Sequence, residues 1–227
     1  MAPEAPQMRS HPRRRARARR GFTLLEIMAV VLIIGILAAF LVPNITDAVS
    51  GANASACEAN MREVYRMLLS YQANHDGQFP KDEGQRFFLR LWKDGTVERS
   101  ESNARRFFCP AERYQGFLAE EQTVEDYLNN WDAIGPYYTS YAGFATGGDQ
   151  NARRQLTSSP SKVTILADAH ITHRNTIVYM TADGDVHRLN VSDLVDEGTL
   201  TEEEVESGNV PLGPASPIEA LRTVTND

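Results

Sequence analysis

Several patterns that mark enzymes are missing from this 227-residue chain. It has no nucleophilic serine elbow, no phosphate-binding glycine loop and no paired metal-ligand motif. No internal repeat is visible. The absence of these patterns agrees with a chain that is not an enzyme, and we predict no catalytic residue and no cofactor.

Charge is also absent from one long stretch. There is no charged residue from Ile27 to Val42, and Pro43 closes the run. With residues 22–25 included, the segment is about as long as a bilayer-spanning helix, which needs roughly 20 residues. The sequence therefore predicts a transmembrane helix over residues 22–43.

The residues before this run are strongly basic. Residues 1–21 hold seven arginines against one glutamate, so this part carries +6, and the rest of a chain whose net charge is -7 carries -13. Such a tract could be a nucleic-acid arm. Because it directly precedes an apolar span, we expect it instead to fix orientation by staying in the cytoplasm, with no nucleic-acid partner.

Three residues at the junction carry a specific pattern: Gly21, Phe22 and Glu26. The pattern resembles the processing site of type IV prepilins and type II secretion pseudopilins. In that family a basic leader ends in glycine, phenylalanine usually follows, and a glutamate comes four places later. The resemblance implies that prepilin peptidase removes residues 1–21 and methylates the new amine of Phe22. It also implies that Glu26 pairs with that amine on a neighbouring subunit during assembly.

Other export signals compete for the same residues. Arg19-Arg20-Gly21-Phe22 looks superficially like a twin-arginine signal, and the alanine-rich stretch 48–56 offers ordinary secretory cleavage sites. An ordinary single-span anchor is a third alternative. The first two leave Glu26 unexplained, although a carboxylate inside an apolar helix costs roughly 2.5–3.5 kcal/mol.

The resemblance implies a structural role. We expect a subunit of a type IV pilus-like or type II secretion pseudopilus filament, single-pass in the bacterial cytoplasmic (inner) membrane, with a cytoplasmic leader and an extracytoplasmic head. Its expected partners are prepilin peptidase, other copies or related subunits, the inner-membrane assembly platform and membrane lipid. The alternative is a membrane-anchored extracytoplasmic module that binds a polysaccharide or another surface ligand.

The rest of the chain predicts an α+β, pilin-like fold in which a long N-terminal helix packs on an antiparallel sheet. Residues 44–75 continue the helix, with an apolar stripe that includes Ile45, Val49, Cys57, Met61, Val64, Leu68 and Tyr71. Residues 76–195 form the head. It contains a helix near 86–92 and strands near 137–144, 163–166, 176–180 and 186–189. Residues 196–227 are acidic, and we predict a flexible tail.

Cysteine is scarce: Cys57 and Cys109 are the only two. An even pair in an exported region is compatible with a disulfide that would stabilise the head by roughly 2–4 kcal/mol. Two unpaired buried thiols are the alternative.

A second resemblance lies near the C-terminus, where His173 precedes Asp183-Gly184 by nine intervening residues. The spacing resembles the H-X9-DG pattern of pilin-like proteins abundant in planctomycetes, and Ser140-Tyr141 and Cys109-Pro110 match more loosely. We expect His173 to enter a strand, Asp183-Gly184 to turn into the next strand, and both to brace the hairpin.

Six possible metal ligands lie close together in the sequence of this region: Asp168, His170, His173, Asp183, Asp185 and His187. The spacing His170-x2-His173 is only weak evidence for a zinc site because the sequence lacks a second close pair of ligands. We predict no metal site, with calcium at Asp183-Gly184-Asp185 kept as an alternative.

Overall fold

The structure, a computed structural model, describes residues 22–227, without the side chains of residues 42–44 and 150. The predicted leader, including Gly21, lies outside the described residues. The chain divides into two compact units whose boundary in sequence falls between Asn44 and Ile45.

One helix, α1 (Leu24–Asn74), runs through both units. Among the described residues it is also the one helix long and apolar enough to cross a membrane. It ends where Asp76 and Gly77 adopt positive φ angles of 52° and 73°, and the Gly77 N–H donates to the carbonyl of Gln72 at 2.9 Å. This is the predicted stop, because glycine accepts a left-handed conformation at a helix end without a steric penalty.

In the second unit, one face of α1 enters the core of the head. Its buried residues follow steps of three and four: Ala54, Cys57, Met61, Val64, Leu68 and Tyr71. The predicted stripe is correct from Cys57 onward. It is wrong for Ile45 and Val49, which are about half exposed because burial of the helix begins only at Ala54.

The remaining helices are short. The bounds are α2 (Gln85–Lys93), α3 (Glu101–Ala104), α4 (Val124–Asn129), α5 (Gln150–Ser158), α6 (Val191–Asp196) and α7 (Glu202–Glu206). Single 3-10 turns lie at Arg105–Phe107, Tyr114–Phe117, Trp131–Ala133, Pro160–Lys162 and Glu219–Leu221. The helix predicted near residues 86–92 is α2.

Five strands form one antiparallel sheet in the described part of the chain, in the order β4-β3-β2-β1-β5. Their bounds are β1 (Tyr141–Phe144), β2 (Thr164–Asp168), β3 (Thr176–Thr181), β4 (Val186–Asn190) and β5 (Val224–Thr225). The predicted α+β fold, a long N-terminal helix with an antiparallel sheet, is confirmed.

The strand predicted near residues 137–144 is shorter than expected. Tyr137 has a φ of 61°, which an extended strand cannot contain, and β1 begins only at Tyr141. The aromatic run at 137–138 suggested strand propensity, but both rings pack beside other rings, Tyr137 against His170 and Tyr138 against Tyr127.

The sheet is covered on both faces. One face packs with α1, α2 and the aromatic residues of the head, including Phe87, Phe88 and Phe144. The other face carries a second cluster of buried residues: Ala142, Ala167, Ile177, Val191, Leu200, Val210, Ile218, Leu221 and Val224. This second cluster draws five of its nine residues from positions after 196.

The prediction of a flexible tail over residues 196–227 is therefore wrong. The tail contains α7, which is closed by a capping box between Thr201 and Glu204, and it contributes strand β5 to the edge of the sheet beside β1. Its apolar residues are few, but most of them pack in the cluster on the second face of the sheet. The composition of the segment did not indicate this order, because acidic residues are interspersed among the scattered apolar ones.

Candidate functional site

The start of α1 is stabilised by two neighbouring side chains, Thr23 and Glu26. The Thr23 N–H and hydroxyl both donate to Glu26 Oε2, at 2.8 and 2.9 Å, and the Glu26 N–H donates to Thr23 Oγ1 at 3.2 Å. This is a reciprocal capping box, which satisfies backbone donors that the first turn of a helix leaves free. Glu26 thus has a partner within its own chain, which sequence reasoning missed although Thr-x-x-Glu is the signature of this motif.

The apolar residues behind this cap remain exposed in the single chain. Every residue from Phe22 to Leu41 is exposed, and among the large apolar side chains Phe22 and Leu24 have the largest exposed fractions, 83% and 80%. A continuous apolar surface of this size marks contact with a membrane or with other protein chains. The head, in the second unit, has a hydrophobic core of its own.

The hairpin of β3 and β4 contains both parts of the H-X9-DG pattern. Asp183 Oδ1 accepts from the Thr181 hydroxyl at 2.5 Å and from the Asp185 N–H at 3.3 Å, so it braces the turn as expected. Gly184 has a φ of 91°, and a Cβ at this position would lie 2.4 Å from the Tyr65 ring on α1. The glycine is therefore required both by the turn and by the close approach of α1.

Two ion pairs also join the hairpin to α1. Arg174 pairs with Asp47 at 2.6 Å, and Arg188 pairs with Glu58. His173 does not brace the turn with Asp183. It lies before β3, at the end of the strand opposite the turn, and its Nε2 faces Cys109 Sγ at 3.4 Å.

The two cysteines meet in the core of the head, beside His173 and Asp168. Both are buried free thiols in the structure, which is the alternative to the disulfide that the sequence left open. Their sulfurs lie within 4.8 Å of each other. Cys57 Sγ donates to Asp168 Oδ1 at 3.2 Å, and Asp168 Oδ2 lies 3.7 Å from His173 Nε2. We call these four residues the buried cluster.

Burial and proximity shift the pKa values in the buried cluster strongly. A hydrogen bond from Cys57 and the proximity of His173 together lower the pKa of Cys109 to about 5 in spite of burial. Burial raises the pKa of Cys57 well above its usual range. Burial raises the pKa of Asp168 to about 7. Burial alone would lower the pKa of His173, but Cys109 and Asp168 outweigh it and raise that pKa.

The other residues considered as metal ligands do not join this cluster. His170 Nδ1 lies 2.7 Å from Glu112 Oε1, and its ring stacks on Tyr137. His187 stacks on Tyr179 of the neighbouring strand. Of the six candidates from the sequence, only Asp168 and His173 converge among the described residues, and their partners are cysteines rather than further acids or histidines.

Comparison with known proteins bears on the N-terminal segment. The family described as "Prokaryotic N-terminal methylation motif" matches residues 16–42, which include Gly21, Phe22 and Glu26. The type IV major pilin protein PilA of Myxococcus xanthus is 38% identical over 80 residues, which is 32% of this chain and 36% of that protein. The N-terminal segment of this chain is type IV pilin-like.

Two further relatives of this pilin-like chain carry competence-related names. The ComG operon protein 3 homolog of Bacillus licheniformis is 36% identical over 61 residues, and the competence protein ComGC of Bacillus subtilis is 33% identical over 61 residues. Each alignment covers 27% of this chain, and they cover 63% and 62% of those proteins. The pilin-like chain thus spans less than two thirds of each relative. No solved structure matches it.

Proposed function

We propose that this chain is a structural subunit of a type IV pilus-like filament, processed by prepilin peptidase between Gly21 and Phe22 and assembled through its N-terminal helix. The observation that carries the proposal is the methylation motif at the start of α1, together with the exposure of every residue from 22 to 41. Before assembly the apolar surface would be covered by lipid of the cytoplasmic membrane, with the basic leader in the cytoplasm and the head outside.

In the filament, the same surface would pack against the helices of other copies. Large apolar side chains such as Phe22, Leu24 and Leu25 would then exchange lipid for protein, with van der Waals packing and polar contacts supplying the specificity. Partners in this process would be prepilin peptidase, the inner-membrane assembly platform and related subunits.

Glu26 would have two tasks, one for each carboxylate oxygen. Oε2 is held by the Thr23 cap. Among the described residues Oε1 accepts no hydrogen bond, and it would accept one from the Phe22 amine of a neighbouring subunit. A charge-assisted contact of this kind is strengthened by apolar surroundings.

We favour a pilus-like filament over a type II secretion pseudopilus. The matched relatives are named as a type IV major pilin and as competence proteins, and none of the three carries a secretion name. Fibres sheared from the cell surface and containing this chain would support the pilus. Loss of protein secretion on deletion, without any surface fibre, would favour the pseudopilus instead.

The two tasks of Glu26 can be separated by substitution. Glu26→Gln keeps a side chain that can complete the capping box but removes the charge, whereas Thr23→Ala breaks the cap and keeps the carboxylate. We expect Glu26→Gln to be processed normally and to lose assembly, and Thr23→Ala to retain most of it. The measurements are N-terminal mass spectrometry of the isolated chain and quantification of sheared fibres.

Two results would contradict this proposal. If Glu26→Gln assembles as well as the unchanged chain, the charge is not needed for subunit contact. If the native chain does not begin at N-methylated Phe22, or remains a membrane monomer with no fibre, the segment is only an anchor and a surface-binding module becomes the better explanation.

A further inference from the structure

The buried cluster collects four ionisable side chains from separate parts of the head. Cys57 comes from α1, Cys109 from the loop before Pro110, Asp168 from the end of β2, and His173 from the loop before β3. Each is at most 1% exposed. Groups of this kind are costly to bury unless a counter-charge satisfies them. No lysine or arginine side chain hydrogen-bonds to any of the four within residues 22–227.

The ligand atoms of the four side chains converge on one point. All lie within 4.8 Å of one another. Three separations are 3.2 Å from Cys57 Sγ to Asp168 Oδ1, 3.4 Å from Cys109 Sγ to His173 Nε2, and 3.7 Å from His173 Nε2 to Asp168 Oδ2. A tetrahedron built with ordinary zinc–sulfur, zinc–nitrogen and zinc–oxygen bond lengths has edges of about 3.3–3.8 Å. The two separations that involve Asp168 run to different carboxylate oxygens, and the bound of 4.8 Å on the four ligand atoms is about 1 Å longer than these edges. Side-chain movements of about 1 Å would therefore complete a tetrahedral site with one oxygen of Asp168 as ligand.

We propose that Cys57, Cys109, Asp168 and His173 form a structural zinc site that fastens α1 to the sheet of the head. The chemistry of the donor set selects the metal. Two thiolates and an imidazole are soft or borderline ligands that suit zinc, whereas calcium requires six to eight oxygen ligands. Four protein ligands in a fully buried setting leave no open position for substrate, as in structural rather than catalytic zinc sites.

Groups around the cluster would orient the ligands. The Val178 N–H donates to Asp168 Oδ2 at 2.8 Å, and the Ala111 N–H donates to Cys109 Sγ at 3.4 Å. The Tyr141 hydroxyl lies 3.4 Å from Cys57 Sγ and could donate to that sulfur once it is a thiolate. Contacts of this kind hold ligands in place and typically contribute 10- to 100-fold to metal affinity.

Zinc binding and a disulfide make opposite demands on the two cysteines. Binding releases the thiol protons, forms two sulfur–zinc bonds and transfers no electrons. Forming a disulfide would remove two electrons and two protons. Asp168 and His173 would then face uncharged sulfurs that have no proton to donate. A metal ion explains why all four side chains converge, whereas a disulfide explains only the proximity of the two cysteines.

Zinc content of the full-length chain tests the proposal. The chain would be purified in detergent from zinc-supplemented cells and measured by elemental mass spectrometry and by native mass spectrometry. We expect about one zinc ion per chain. Cys57→Ser, Cys109→Ser and His173→Gln should each reduce zinc content at least about tenfold. His187→Gln, which changes a histidine of the same hairpin outside the cluster, should leave zinc content unchanged.

Two further measurements do not depend on ligand variants that could fail to fold. Cobalt(II) in place of zinc should give the intense thiolate charge-transfer absorption of a tetrahedral site, and Tyr141→Phe should lower zinc affinity about tenfold. A native chain that is two hydrogens lighter and free of metal would overturn the proposal. So would a reduced chain that takes up no zinc or cobalt from excess metal. Since none of these readouts involves fibres, the zinc site and the filament role succeed or fail separately.

Discussion

Replacing Gly184 by alanine tests why the H-X9-DG hairpin needs its glycine. The structure gives two separate costs. At a φ of 91° an L-residue is strained by about 1–2 kcal/mol. In addition, the new Cβ would lie 2.4 Å from Cε1 and 2.7 Å from Cδ1 of the Tyr65 ring, so the ring must move.

The second cost is moderate because a side chain, not backbone, is in the way. Tyr65 is partly buried, and its hydroxyl donates to the Ala182 carbonyl at 3.3 Å. Displacing the ring loses packing and weakens that bond, which we set at about 1–2 kcal/mol. The free energy of unfolding should therefore fall by about 2–4 kcal/mol in total, and the melting temperature by about 2–4 °C for each kcal/mol.

Gly208→Ala is the matched control. Gly208 has a φ of 73°, and a Cβ there would meet nothing within 4 Å, so this variant carries only the backbone cost. Thermal unfolding of the full-length chain in detergent, followed by circular dichroism, measures both. A double-mutant cycle with Tyr65→Ala should show that removing the ring recovers about 1–2 kcal/mol of the Gly184→Ala loss. Equal destabilisation by Gly184→Ala and Gly208→Ala would refute the proposed clash with α1.

The same unfolding assay checks two other features of the head. Leu221→Ala should lower the free energy of unfolding by about 2–5 kcal/mol because Leu221 is fully buried on the second face of the sheet. Its control is Leu69→Ala: Leu69 is 46% exposed, and the change should be less than about 0.5 kcal/mol. If both variants had similarly small effects, residues 196–227 would after all be a flexible tail. Gln85→Ala should cost about 3 kcal/mol because the buried amide accepts from the Thr139 N–H at 2.6 Å and donates to the Asn226 carbonyl at 2.9 Å. The exposed Gln78→Ala is its control, and equal effects of the two glutamine variants would contradict the role of the buried amide.

The parts of the fold that sequence predicted well are those with strong local signals. The helix-spaced residues from Cys57 to Tyr71 and the stop at Gly77 gave α1 its packed face and its end. The Asp183-Gly184 pair correctly located the turn between β3 and β4. Each of these features is determined by residues that are close together in the chain, so it can be predicted from the sequence alone.

The parts that sequence missed depend on contacts between distant segments. The second face of the sheet is covered by scattered residues such as Leu200, Ile218 and Val224, which have no period of their own. The buried cluster combines cysteines and a histidine that do not form a short ligand motif, so spacing rules could not detect it. The Thr23–Glu26 cap was missed for a different reason. Its motif, Thr-x-x-Glu, is local and visible in the sequence, but Glu26 was assigned only a contact with a neighbouring subunit.

The attachment of β3 to α1 has a mechanical consequence. His173, before the strand, lies beside Cys57, and Gly184, just after it, lies against Tyr65, so two points about 12 Å apart on one helix hold the two ends of an inner strand. Tension applied to this part of the helix would reach this interior strand as well as the edge strand β4, whose Arg188 pairs with Glu58. The interior strand is hydrogen-bonded on both sides, so the load would have to shear two ladders together instead of peeling one apart.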